Sequence, residues 1–537
     1  MCKRNSKFKI QNSKLAALAL GVVVALSARA ASSDYFCIEV IDEATARGVP
    51  LVELQTTDKS TYITDSNGLI AFNEPGLMNE DVWFSVFSYG YEFPHESFGA
   101  RGVALKVTPG GKAQLKLKRI NIAERLYRVT GRGIYRDTIL LGKKAPIEAA
   151  ALNGRVTGQD TVETAIFNGK LHWFWGDTNR PSHPLGNFFT SGAVSELPGK
   201  GGLDPAVGVN LSYFTDPKSG FARAMVNVKQ RGSSPAWIGG LLVVTDDTGK
   251  ERMLANCARV KGLVPYERNL LLYNDQTDAF DEFKPIPLDA PLAPNGHPMR
   301  AEVDGQEYWY FPDPFPTVRV KNEWASVTDL SAYEGFTCLK DGSAFSKKNP
   351  PIERDASGKL VWKWRKATPP LHLKEIDALI ESGAIKADES PFRLRNVDDG
   401  KVITIGASSV YWNEYRKKWV MIGVQAGGAS YLGEVWFAEA NAPEGPWRDA
   451  KKIATHARKN ANRDFYNAMQ HPYFAQEGGN LIYFEGTFTN AFSGSPIPTP
   501  NYDYNQLMYR LDLSDPRLKM PDAPPGLSGA RPSKLGP

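Results

Sequence analysis

Asp160 and Asp177 flank the first segment of this chain that could do chemistry. Asp160 closes Gly158-Gln-Asp160, and Asp177 follows an aromatic run in His172-Trp-Phe-Trp-Gly-Asp177-Thr-Asn-Arg180. An Asp placed after packed aromatics, with Gly176 beside it, leaves its strand where the backbone can turn toward a cleft. Cleavage of a glycosidic bond takes two carboxyl groups flanking one bond, with aromatic platforms and donors for the sugar hydroxyls. Asp160 and Asp177 offer the carboxyls, Trp173 and Trp175 the rings, and Arg180 a donor fork. Asp177-Thr178-Asn179 also reads as an Asx-turn ending a hairpin.

The C-terminal half carries similar segments. Gly433-Glu434-Val-Trp-Phe-Ala-Glu439 is a strand with two acids. Residues five apart point to opposite faces, so at most one acid faces inward, and Glu434 is preferred. Arg463-Asp-Phe-Tyr-Asn-Ala-Met-Gln-His-Pro472 crowds Tyr466, Asn467, Gln470 and His471 before a proline. Tyr483-Phe-Glu485-Gly-Thr-Phe488-Thr489 ends an apolar strand with an acid beside Gly, echoing Trp175-Gly-Asp177. In the catalytic reading Asp177 is general base or nucleophile, and Asp160 holds its charge or orients the sugar. Glu434 or Glu485 then protonates the leaving oxygen. Phe488 joins Trp173 and Trp175 as a lining ring, while Arg180, Asn467, Gln470 and His471 bind hydroxyls. Arg463 and Tyr466 are further binding candidates. His471 also reads as a structural hydrogen-bonding residue, and Glu485 as a buried brace of its strand end.

These residues sit in an all-β grammar. Ala165-Ile-Phe167 and Lys170–Trp175 flank Asn168-Gly169, a hairpin signal, and strand–turn–strand units follow through Gln506–Asp512. Recurrent hairpins from 145 to 515 exceed a sandwich and suit four-stranded blades around an axis, with five blades expected. One stretch reads as helix: Leu373, Ile376, Leu379 and Ile380 share a face and Gly383 supplies the stop, an insertion among strands. Before the blades, residues 34–119 alternate as a smaller β-sandwich of about seven strands. Residues 120–144 read as a linker, and the Pro/Gly-rich 516–537 as a disordered tail.

Lys and Arg number 64 against 59 Asp and Glu, a net of +5. Six of the positives lie in residues 1–30, which hold no acid, so the remainder is near neutral. That excludes the dense cationic face that nucleic acid requires. Residues 1–30 combine a basic start, the apolar run Leu15–Ser27 and Ala28-Arg-Ala30, the layout of a cleaved signal peptide. A secreted or periplasmic protein with no membrane span after cleavage is expected. Cys37, Cys257 and Cys338 remain; a Cys257–Cys338 disulfide and buried free thiols are both open. No pair of cysteines has metal-ligand spacing.

Two resemblances follow from the motifs. Gly48-Val-Pro-Leu-Val52, Thr64-Asp-Ser-Asn-Gly68 and Tyr89-Gly-Tyr91 together resemble the carboxypeptidase regulatory-like domain, a transthyretin-type sandwich that serves as spacer or docking module. Phe437-Ala-Glu-Ala-Asn-Ala-Pro-Glu-Gly-Pro-Trp447 resembles a strand edge of the five-bladed propeller glycosidases, which include arabinanases, invertases and levansucrases. Gly158-Gln-Asp160, Phe174-Trp-Gly-Asp-Thr178, Gln470-His-Pro-Tyr-Phe474 and Tyr483-Phe-Glu-Gly-Thr-Phe-Thr489 are similar to a narrower propeller family that includes endo-acting D-arabinan hydrolases. The resemblance implies a carbohydrate substrate in a central funnel and no required cofactor. Propeller axes can hold a structural calcium, although no acidic loop here has a calcium-binding spacing. Two alternatives stand beside the hydrolase. A non-catalytic carbohydrate-binding propeller would keep the rings and donors. A polysaccharide lyase would use Tyr466 or His471 as base and Arg463 as cation.

Overall fold

The computed structural model describes residues 34–95, 99–228, 234–427, 432–458, 462–501 and 503–534; the expected signal peptide lies outside them. Two four-stranded sheets form the N-terminal unit. One has Phe36–Asp42 between Leu69–Phe72 and Lys112–Arg119, with Tyr91–Glu92 at the edge. The other runs Thr61–Ile63, Glu53–Thr56, Asp81–Phe87, Gly102–Lys106. Their facing sides follow from period-two patterning: Val82, Phe84 and Val86 are buried while Asp81 and Ser85 are exposed. These residues join Ile38, Val40, Leu54, Ile70 and Leu117 in one core. The Asp65–Gly68 turn packs so closely on the neighbouring loop that a Cβ on Gly48 would meet the Asn67 carbonyl oxygen at 1.9 Å.

Besides a short three-stranded sheet of Gly158–Gln159, Thr178–Arg180 and His183–Asn187, five larger sheets follow. They hold Val162–Phe167, Ala236–Thr245, Met299–Val303, Ile405–Asn413 and Asp464–Gln470 as inner strands and continue outward antiparallel, with Val226–Asn227 and Phe392–Asn396 added in parallel on the outer side of the second and fourth. Neighbouring sheets touch in a closed ring. Ala236 N–H donates to Phe188 O at 3.0 Å between the first and second sheets, and Gly240 N–H donates to Gly296 O at 2.9 Å between the second and third. His297 bridges Ser409 between the third and fourth. Gln470 N–H donates to Ser409 Oγ at 2.8 Å between fourth and fifth, and Thr164 Oγ1 to Met469 Sδ at 3.6 Å closes fifth on first. A closed ring of five radial sheets is a five-bladed propeller.

The structure corrects both flanks of this unit. Within the expected linker, Glu124–Arg128 pairs with Asn505–Asp512 and is the outer strand of blade five, so the chain's early and late segments close one sheet. All five of its residues are buried, and Arg125 donates to Ser88 Oγ and Tyr89 O in the sandwich. Its three charged side chains each find a partner inside the protein: Glu124 accepts from Arg510, Arg125 donates to Ser88, and Arg128 donates to the Arg132 carbonyl at 3.2 Å. The expected disordered tail is placed: Leu518 is fully buried, and Arg531–Pro532 pairs with the inner strand of blade three. The helix forms at Leu373–Glu381 between blades three and four, burying Ile376 and Leu379, and Gly383 ends it with φ 74°. Cys37, Cys257 and Cys338 are buried free thiols, so the Cys257–Cys338 bridge is not formed. Among the described residues no cluster of His, Cys, Asp or Glu is placed to hold a metal ion, and no helix is long and apolar enough to cross a membrane.

Candidate active site

Asp160 and Asp177 meet at one end of the propeller axis. Gly158–Gln159 pairs with Thr178–Arg180, so the two aspartates lie opposite each other where the strand of blade one ends. Asp160 Oδ1 accepts the Asp177 backbone N–H at 2.6 Å, and the Asp160 carbonyl accepts the Gly176 N–H at 2.8 Å. A Cβ on Gly176 would stand 2.4 Å from Asp160 Oδ1, which is why glycine precedes Asp177. The Asp177 carboxylate accepts from the indole N–H of Trp237 at 3.1 Å rather than closing an Asx-turn. Tyr466 donates its hydroxyl to Asp160 Oδ2 at 3.0 Å.

The backbone at this point is strained. Thr161 has φ 49°, a region costly for a β-branched residue, and Asn467 opposite it has φ 51°. They hold each other: Asn467 Nδ2 donates to Thr161 Oγ1 at 2.6 Å, and Thr161 N–H donates to Thr487 Oγ1 at 2.9 Å.

The pair opens into a cavity of about 490 Å³ walled by Trp175, Trp237, Tyr466, Asn467, Phe492 and Tyr504. Burial, and after it the Asp177 charge, push the Asp160 carboxyl up to about 7, against the pull of the Tyr466 hydroxyl and the Asp177 N–H. Burial also raises Asp177, and the Trp237 N–H partly offsets it. Burial and the nearby Asp177 charge together keep a proton on Asp160 near neutral pH.

Of the residues singled out from sequence, Asp160, Asp177, Trp175, Tyr466 and Asn467 converge here, and the others do not. Glu434 is buried, with Oε1 accepting from Thr455 at 3.0 Å and Oε2 3.2 Å from Lys452 Nζ. Glu485 is fully buried 3.4 Å from His471 Nε2, and His471 is equally enclosed. Neither glutamate lines the cavity. Trp173 is fully buried, donates to Ser195 Oγ at 2.8 Å and stacks behind Trp175 at 6.0 Å. Phe488 lies in the core beside Tyr89. Arg180 packs over the Phe221 ring. Arg463 is buried, donating to the Pro498 carbonyl at 2.8 Å, and Gln470 is buried between blades four and five. With Arg463 and His471 away from the cavity, the lyase constellation is not assembled.

Sequence reading missed Trp237, Glu163 and Tyr504. Trp237 is the second residue of an inner strand, as Glu163 is of its own, and Tyr466 is the third of its own. Aligning the starts of the inner strands would have brought them together.

No protein-family model matches the chain, and no curated protein matches it significantly. Among solved structures the chain is similar to a putative hydrolase from Bacteroides ovatus, with TM-score 0.40 and 15% identity over 67% of this chain and 86% of that one. It is similar to a putative exo-beta-1,3-galactanase from Bifidobacterium bifidum at TM-score 0.33 and 10% identity, covering 77% and 98%. A GH43_1 enzyme from Xanthomonas citri gives TM-score 0.32 and 10% identity, covering 66% and 87%.

Proposed function

We propose that this protein is an exported glycoside hydrolase that cleaves a polysaccharide or oligosaccharide at the axial cleft. The observation that carries the reading is the contact of Asp160 and Asp177 beneath an aromatic-walled cavity, one carboxyl retaining a proton near pH 7. Asp177, oriented by Trp237, acts as base or nucleophile; Asp160, its proton held by burial and then by the Asp177 charge, is the proton-holding partner. Trp175, Trp237 and Tyr504 offer faces and edges on which sugar rings pack, and Asn467 offers an amide to hydroxyls. The signal-like residues 1–30 support export, and the N-terminal sandwich acts as spacer or docking module.

The test is release of reducing ends from a panel of arabinans, xylans and galactans by the protein and by Asp177→Asn. Hydrolysis of at least one glycan, abolished in the folded variant, is expected. Near-normal turnover in Asp177→Asn would remove the assignment, and binding without turnover by the unmodified chain would make this a carbohydrate-binding propeller.

A further inference from the structure

A second cavity of about 260 Å³ opens beside the first and plays no part in the chemistry above. Its walls mix apolar rings with polar groups: Phe315 and Phe392 line it, with Asn295, Asp313, Arg268 and His372 around them. Asn295 donates its amide to Asp313 Oδ2. The Arg268 side chain makes no hydrogen bond or ion pair among the described residues, and burial alone pulls its guanidinium down. A half-buried guanidinium set among aromatic faces and a carboxylate offers a ligand a donor fork and ring surface together.

Both cavities lie on the same face of the propeller. The first sits where the inner strand Ala236–Thr245 begins and Lys170–Trp175 ends; the second sits just before Met299–Val303 begins and just after Gln306–Pro312 ends. They meet at Gly239. A Cβ there would stand 3.4 Å from Asn295 Oδ1 in the second cavity and 3.9 Å from Glu163 Oε1 in the first, with no other neighbour within 4 Å. Gly239 does not have the positive φ that would demand glycine, so its small size is what the place uses. The strand Val264–Asn274 connects them on the other side: Leu263, immediately before it, borders the first cavity, and Arg268 borders the second. At 3.3–3.4 Å per residue these positions are about 17 Å apart, a span for several sugar units of one chain and not for one.

We infer that the second cavity is a distal subsite for the same glycan chain, with Arg268 and the Asn295–Asp313 pair binding ring hydroxyls and Gly239 leaving the passage open. The inference rests on the carbohydrate reading of the first cleft. Binding energy gained so far from the reacting bond favours long substrates over short ones.

The test compares kcat/KM on arabino- and xylo-oligosaccharides from disaccharide to octasaccharide for the unmodified chain, Arg268→Ala, Asp313→Asn and Gly239→Leu, with thermal melting to certify folding. The ratio of octasaccharide to disaccharide efficiency is expected to fall about tenfold in Arg268→Ala and in Gly239→Leu. Should Arg268→Ala not fold, Gly239→Leu and Asp313→Asn carry the test. An unchanged ratio in the folded variants, with hydrolysis retained, would overturn the distal subsite alone. Absence of binding and hydrolysis of every member by the unmodified chain would instead contradict the carbohydrate reading of the first cleft, and the subsite with it.

Discussion

Trp175-Gly-Asp177 and Phe484-Glu-Gly486 look alike in sequence, each an acid beside glycine on the second strand of a blade, yet they end in opposite environments. Lys170–Trp175 stops before Gly176 and strand pairing resumes at Thr178, so Asp177 stands in the gap between two strands and reaches the cavity. Leu481–Thr489 runs four residues beyond Glu485, which leaves that carboxyl inside the blade against His471. The glycines differ in purpose too. A Cβ on Gly176 would strike the Asp160 carboxylate, whereas one on Gly486 would strike the Phe465 ring at 2.6 Å. One glycine makes room for a carboxylate at the cavity and the other for core packing. Where an acid lies along its strand therefore decides its role, and the residue beside it does not.

The comparison can be broken at either end. Asp177→Asn is expected to lower kcat by about 10³-fold or more while the fold melts normally. Asp160→Asn should lower kcat by about 10²-fold, and it carries a sign on stability. The folded-state pKa of Asp160 is raised to about 7, so the carboxyl binds its proton more tightly folded than unfolded. Its stabilising contribution is complete below the unfolded value near 4 and is lost as pH rises through 7. Asp160→Asn should therefore melt above the unmodified chain at pH 8, with the gain vanishing toward pH 4. Glu485→Ala should do the reverse of the aspartate variants, costing about 2 kcal/mol in a denaturant melt with turnover per folded molecule retained. The smallest effect is expected from Tyr466→Phe. It removes a hydrogen bond that holds the Asp160 carboxyl down, so the alkaline limb of the pH–rate profile should move up by about one unit or less.

What the sequence disclosed follows the same division. Asp160 and Asp177 were legible because each stands at a strand end beside glycine, and Tyr466 and Asn467 because their strand crowds polar residues. The all-β character, the sandwich strands and the Leu373–Glu381 helix were legible from periodicity of two or 3.6, whereas the short helices Arg136–Leu140 and Trp324–Val327 were not. Glu434, Glu485 and Phe488 misled because the interior of a blade buries acids and rings beside small residues as readily as a cleft presents them. Trp237 escaped notice since Gly239-Gly240 carries a bulge that breaks the alternation of its strand. Glu124–Arg128 escaped because its partner lies some 380 positions away, a pairing that no local pattern records.

The account's central claim is that a glycosidic bond lies between the Asp160 and Asp177 carboxyls. A crystal structure of Asp177→Asn soaked with an oligosaccharide that the unmodified protein cleaves tests it directly. The account predicts the glycosidic oxygen within hydrogen-bond reach of one of these two side chains and sugar rings against Trp175 and Trp237. Sugar bound on the opposite face of the propeller, or in the cleft with its linkage out of reach of both, would contradict it.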